Sequence, residues 1–355
     1  MSKENKIASY QLFSILFLID IIIVLTYSPK LTSSSGIRDF VISSLVYFLL
    51  NFILILPIYF LYKKFPYINI FDGKIGIVYR FIYSIYFLFI ACYTLSIFKI
   101  FIINVMSSEI PVNALIIFTL ILAVYAASKG IHAIVRTSVI ILFIIALSFL
   151  FIFLSLAPRL VQDNYTSFFE TGFNDTIKGL LYMISRDFTL PIILVLFPIL
   201  DGSKKKTFVS WNIASTIFFI AIDLLVVGSL GKYVDTQLFP GYLLAQIADV
   251  GVLKHLDAIY MGFFSMGIFI LLSAFLYLFL FVTRNIKSQS IRHKSNFLGF
   301  AIVFILGCFL PDGNNFDYFI FNKYALLILT LIVSLVLPIV SLIKANIDKK
   351  SKGES

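Results

Sequence analysis

The chain has 355 residues, 60% of them hydrophobic and only 13% charged, and its mean hydropathy is +1.02. A soluble globule cannot hide that much apolar surface, so composition excludes a water-soluble enzyme or binding module and makes lipid the solvent. The net charge of +10 would suit nucleic acid, but the basic residues gather at the ends of apolar runs, as orientation signals do in membrane proteins.

Runs of the length an α-helix needs to cross about 30 Å of hydrocarbon fall at residues 7–26, 40–62, 77–105, 111–127, 130–156, 177–200, 208–230, 258–283, 296–310 and 318–343. Strand-like alternation is missing, which argues against a β-barrel. The expectation is an all-α membrane protein of about ten transmembrane helices. The first run is longer than a signal-peptide core and lacks a small-residue cleavage site, so it is retained as span one.

Placing the N-terminus in the cytoplasm puts Lys3 and Lys6, then Lys63, Lys64, Lys74 and Arg80, then Lys129 and Arg136, then Lys204 to Lys206, then Arg284, Lys287, Arg292 and Lys294, then Lys344, Lys349, Lys350 and Lys352 on the inner side. Most of the 28 basic residues then share one face, with both termini inside. The other face is richer in acid: Asp163, Glu170 and Asp175 before span six, and Asp235, Asp249 and Asp257 between spans seven and eight. Residues 238–252 read as a short interfacial helix or as a surface loop. Trp211, Tyr62 and Tyr79 fall where an aromatic belt is expected.

Ten spans divide as five plus five, with residues 1–156 as a first repeat, 157–345 as a second of inverted topology, and 346–355 as a basic tail. In such a LeuT-like arrangement the first helix of each half is interrupted at mid-membrane. Span six has a candidate break: Arg186 and Asp187 lie mid-run, and Pro191 suits the first turn of a restarted helix. Span one has neither glycine nor proline but carries one carboxylate, Asp20.

A charged side chain at mid-membrane costs roughly 2.5–3.5 kcal/mol, so each needs a partner or a wet cavity. Asp20, Arg186, Asp187 and Asp223 are therefore the candidates. In one reading Arg186 and the amides after Asp187 receive a ligand carboxylate, Asp20 faces an ammonium group or a proton, and Asp223 is a coupling site for an ion or proton. In the other, Arg186 forms a buried ion pair with Asp223 or Asp20 that only fixes helix register. Lys99 and Lys178 are expected to snorkel. Gly262, Ser265, Gly267 and Ser273 in span eight suit either close helix packing or a cavity lining, and Asn51 and Asn104 suit interhelical hydrogen bonds. Cys92 and Cys308 are too far apart in sequence to imply a disulfide framework or metal-ligand spacing. His132, His255 and His293 are isolated, and no catalytic or cofactor-binding motif is present.

Several stretches, taken in order, resemble the endospore germination permease family, the B subunits of nutrient germinant receptors. They are Ala8-Ser-Tyr-Gln-Leu-Phe13, Leu61-Tyr-Lys-Lys-Phe-Pro66, residues 125–136 with Gly130 and Arg136, residues 197–206 from Phe-Pro to the lysine run, and Leu238-Phe-Pro240 followed by Leu256-Asp257. That family is similar in fold to the amino acid, polyamine and organocation transporters. The resemblance implies a sensor of a small nutrient, often an amino acid, working with an A subunit and a lipoprotein C subunit in the spore inner membrane. It also implies a ligand cavity among spans one, three, six, eight and ten, which offers Asp20, Arg186, Asp187 and Ser265 as ligand-binding residues. Family members often carry a glycine-containing segment in span one where this chain has Ile21 to Ile23. A secondary transporter coupled to protons or sodium, and an assembly subunit with a vestigial cavity, fit the same hydropathy.

Overall fold

A computed structural model describes residues 6–26, 37–66, 68–105, 111–165, 173–250, 253–254, 256–284, 288–309 and 323–351. Glu170, His255 and the Cys308 side chain, singled out above, lie outside the described residues.

The chain is an all-α membrane protein. Its helices are α1 (Ser9–Leu25), α2 (Ile37–Leu54), α3 (Leu56–Lys64), α4 (Gly73–Val105), α5 (Val112–Lys129), α6 (Ile131–Leu156), α7 (Phe173–Ser185), α8 (Thr189–Leu196), α9 (Lys204–Leu230), α10 (Pro240–Ile247), α11 (Asp257–Arg284), α12 (Gln289–Phe309), α13 (Lys323–Leu331) and α14 (Leu337–Ser351). Among the described residues eight stretches are long and apolar enough to cross a membrane, and the 17-residue α1 is a shorter apolar helix. A helix stands at each of the ten expected positions. The ninth, α12, falls outside those eight and begins with Arg292, His293 and Lys294 in its first turns.

Spans two and six are each built from two helices. In span two, α2 and α3 meet at Ile55, with Pro57 in the first turn of α3, where its missing N–H costs nothing. Gly130, at φ +93°, separates α5 from α6, a left-handed backbone that glycine adopts without a Cβ clash. Residues 238–252 contain a true helix, α10, packed against α9 and α11 and followed by a small hairpin of β3 (Asp249–Val250) and β4 (Leu253–Lys254). Its Leu244 and Ala245 are buried, so it caps the bundle rather than floating on lipid.

Span one is an unbroken helix, so of the two interruptions that a LeuT-like arrangement implies only the one in span six is present among the described residues. It lies at the centre, packed on α9, α6 and α11, and 13 of its residues are buried. A short strand just before it, β1 (Ile7–Ala8), pairs in parallel with β2 (Leu200–Asp201) at the end of span six. Lys6 and Asp201 add an exposed ion pair at 3.8 Å. Gly267 of α11 sits where a Cβ would meet the Ile22 side chain, which makes close packing the role of that glycine.

The aromatic belt is not formed by the residues expected to form it. Trp211 is completely buried against Phe208. Tyr62 and Tyr79 are also buried and donate to the carbonyls of Leu194 and Leu337. Burial wins because each ring satisfies or approaches a polar group that lipid cannot serve. Lys99 is buried, 8% exposed, and Lys178 pairs with Asp175. Asn51 donates across to Asn212 at 3.5 Å, but Asn104 bonds within its own helix.

Span ten departs from regular helix through one π-helical turn, Ile332–Val336, between α13 and α14. Such a turn loosens the i−4 ladder. The Tyr83 hydroxyl donates to Val333 O at 2.8 Å and that of Tyr79 to Leu337 O at 3.2 Å. Tyr83 also packs edge-on against Phe71, in the connection that leads into α4.

That connection depends on two glycines. Gly73 has φ +77°, and a Cβ on Gly76 would overlap the backbone carbonyl of Phe71. Gly76→Ala is expected to destabilise the protein by roughly 1–3 kcal/mol, whereas Gly262→Ala, where a Cβ meets nothing within 4 Å, should be silent. Thermal unfolding of the two purified variants beside wild type checks this.

Candidate functional site

The site is organised by the interruption of span six. Helix α7 ends at Ser185, residues 186–188 leave the helical ladder, and α8 restarts at Thr189 with Pro191 in its first turn. Asp187 drives the restart. Its Oδ1 accepts from Thr189 Oγ1 at 2.6 Å and from the backbone N–H of Leu190 at 3.3 Å, capping the orphan donors of α8. On the other side of the break, the carbonyl of Ser185 accepts from Thr330 Oγ1 of span ten at 3.1 Å.

Arg186 serves the opposite helix end. Its Nε donates to Tyr93 Oη at 2.8 Å and its Nη1 to Ser185 Oγ at 3.1 Å. The guanidinium carbon lies 3.6 Å from the Tyr182 ring centroid and 5.7 Å from that of Tyr93. A cation at the carbonyl end of α7, stacked on a desolvated ring, is favourable on both counts. Arg186 and Asp187 are thus adjacent opposite charges that each complement a different half-helix dipole. The amides after Asp187, expected to receive a ligand carboxylate, are engaged by Asp187 itself.

The other carboxylates are held by hydroxyls. Ser215 Oγ of α9 donates to Asp20 Oδ2 at 2.5 Å, and Ser44 Oγ of α2 donates to Asp223 Oδ2 at 3.0 Å. The expected ion pair of Arg186 with Asp20 or Asp223 is therefore replaced by serine contacts. Asp20 and Asp187 are 4% and 2% exposed. Asp187 Oδ2 and Trp211 Nε1 are buried with no hydrogen-bond partner among the described residues.

Beside the break is a small cavity. Ile22, Ile23 and Thr26 contribute from span one, Tyr93, Thr94 and Ile97 from α4, Phe188 from the break, and Ile268 and Leu271 from α11. The space open to water is about 10 Å3, enough for about one molecule. Spans one, three, six and eight therefore meet there.

None of Asp20, Arg186, Asp187 and Ser265 is among these lining residues. Arg186 reaches the cavity through Tyr93, while Asp20 and Asp187 stand two residues and one residue from the lining Ile22 and Phe188. Ser265 is half-buried and donates to Met261 O in its own helix. Asp223 is two turns along α9 from Ser215. Sequence reasoning missed Tyr93, Thr94, Thr26 and Phe188. The available signal was the adjacent Tyr93 and Thr94 in the middle of span three, two uncharged polar residues that drew no attention beside Lys99.

A family model described as spore germination protein matches residues 6–317. No curated protein matches the sequence.

If Asp187 acts as the cap of α8, Asp187→Ala should cost about 1–2 kcal/mol in stability and Asp187→Asn, which keeps the accepting oxygen, much less. Unfolding midpoints of the two variants, with unchanged membrane insertion as a control, decide it.

Proposed function

The chain belongs to the spore germination protein family, and on that premise we propose that it is the membrane subunit of a germinant receptor that senses a small nutrient, most simply an amino acid. The observation that carries this reading is the cavity at the break of span six, bounded by spans one, three and eight. Its walls are apolar apart from the hydroxyls of Thr26, Tyr93 and Thr94. Such a lining suits a small ligand with an aliphatic side chain and a few polar atoms.

At about 10 Å3 the cavity admits no amino acid without expansion. Binding must therefore favour a second, more open arrangement of these helices, and the shift between the two is the signal. Arg186 belongs to the site through its hydrogen bond to Tyr93, and Asp20, Asp187 and Ser265 are proposed to meet the ligand once the helices part. The signal would pass to an A subunit and a lipoprotein C subunit in the spore inner membrane. The same reading includes cytoplasmic termini and a division of the bundle into two inverted five-helix halves.

A second reading, a secondary transporter for an amino acid or amine coupled to protons or sodium, is favoured by one specific feature. Among the described residues Asp187 Oδ2 is buried without a hydrogen-bond partner, and Asp223 is buried and accepts from Ser44. Buried carboxyl groups held by hydroxyls are suitable stations for a coupled ion.

Tyr93→Phe and Thr94→Val should each weaken binding of labelled L-alanine, or of whichever amino acid binds in a screen, by about fivefold to tenfold while leaving the protein folded. Equal affinity in wild type and both variants would place the ligand elsewhere. In proteoliposomes, uptake that follows an imposed pH or sodium gradient and is lost in Asp20→Asn would establish transport; binding without uptake supports sensing.

A further inference from the structure

A second and larger cavity, about 310 Å3, lies where spans three and ten reach the membrane surface. One wall is the connection into α4, including Asn69, Asp72, Ile75 and Tyr79, and the other is Ser341, Lys344 and Ala345 of α14. Its volume is within the range of small-molecule sites, and it has no part in the cavity at span six.

The walls are fixed before any ligand arrives. Phe71 N–H bonds to Asn69 Oδ1 at 3.2 Å, the Phe71 ring is buried on Tyr83, and Gly76 backs directly onto the Phe71 carbonyl. Both polar groups on the floor are already engaged, since the hydroxyls of Tyr79 and Ser341 donate to Leu337 O. Two charges remain. Asp72 and Lys344 line the same cavity, and among the described residues neither side chain has a hydrogen-bond or ion-pair partner. No ion pair joins them among the described residues, so a ligand that meets both needs a positive and a negative group.

The mouth of the cavity points to the kind of molecule. Ile75, a lining residue, is 40% exposed, and Val78 on α4 with Val340 and Ile343 on α14 are exposed beside it. Within a bilayer these side chains contact acyl chains. The two charges thus sit at headgroup depth with an apolar strip leading away along two spans.

We propose that this cavity holds the headgroup of a lipid that carries both an ammonium and a phosphate, phosphatidylethanolamine being the simplest. The ammonium donates to Asp72, the phosphate accepts from Lys344, and the chains lie along Ile75, Val78, Val340 and Ile343. A primary ammonium can donate hydrogen bonds to a carboxylate, which the quaternary group of phosphatidylcholine cannot. Phosphatidylglycerol offers Asp72 no cation. A free amino acid has the same pair of charges but makes no use of the apolar strip.

The test uses the full chain in phosphatidylcholine nanodiscs doped with equal small fractions of phosphatidylethanolamine and phosphatidylglycerol, followed by native mass spectrometry of retained lipid. Wild type should retain phosphatidylethanolamine over both others by about fivefold. Asp72→Asn should erase the preference over phosphatidylglycerol, and Lys344→Ala should lower phosphatidylethanolamine retention to the phosphatidylcholine level. Lys344→Gln serves if the alanine variant does not fold. Equal retention of the three lipids in wild type, a preference that survives both substitutions, or release of bound phosphatidylethanolamine by millimolar alanine would each overturn the proposal.

Discussion

In hydrocarbon every backbone N–H and C=O must find its partner inside the protein, and the break in span six is where this chain meets that demand at its hardest. Three residues leave the helical ladder in the middle of a span, freeing carbonyls at one helix end and amides at the other. The protein answers with side chains from the break itself. Asp187 caps the amides of α8, Arg186 lies against the carbonyl end of α7 on Tyr182, and Thr330 reaches across from span ten to the Ser185 carbonyl. Much of what surrounds the break is arranged to keep those contacts dry and in register.

The same rule explains span ten. Its π-helical turn loosens the local ladder, and two tyrosines of α4 donate to carbonyls within and just after it. Thr330 stands two residues before that turn. Separate hydrogen bonds thus tie span ten to its neighbours at three places: Thr330 to the end of α7, and the carbonyls of Val333 and Leu337 to Tyr83 and Tyr79 of α4. Between α4 and the break, the Arg186 to Tyr93 bond ties a third wall of the central cavity to the same charged pair. A helix interruption held by so few side chains is well suited to have two arrangements, since exchanging one set of partners for another leaves no polar group bare.

Position along the chain was legible because hydropathy reports burial in lipid directly. A helix stands at each expected position, eight stretches among the described residues being long and apolar enough to cross a membrane, and the candidate break fell on the right residues, whereas span one is continuous where an inverted repeat implies a second break. The direction in which side chains point was less legible. Trp211, Tyr62 and Tyr79 occupy the positions of interfacial anchors yet turn inward, because an apolar run carries no information about which face of a helix meets protein. For the same reason the charged residues drew attention while Tyr93 and Thr94, which line the cavity, did not. Lys99 shows the same limit: nothing in its neighbours along the chain says that packing leaves it only 8% exposed.

What the sequence determined by itself is the solvent, the class of fold, the place of the break in span six and the resemblance that the family match bears out, since each follows from residue type and spacing along one chain. Tertiary structure alone decided how the charges are used. Asp20 meets Ser215 across 195 positions of sequence, Asp223 meets Ser44 across 179, and Arg186 meets Tyr93 across 93. No local pattern encodes such partners, because they depend on which helix faces are brought together. The ion pair and the open anion hole that mid-membrane charges suggest in isolation gave way to hydroxyls, rings and helix ends, each of which satisfies the charge close at hand.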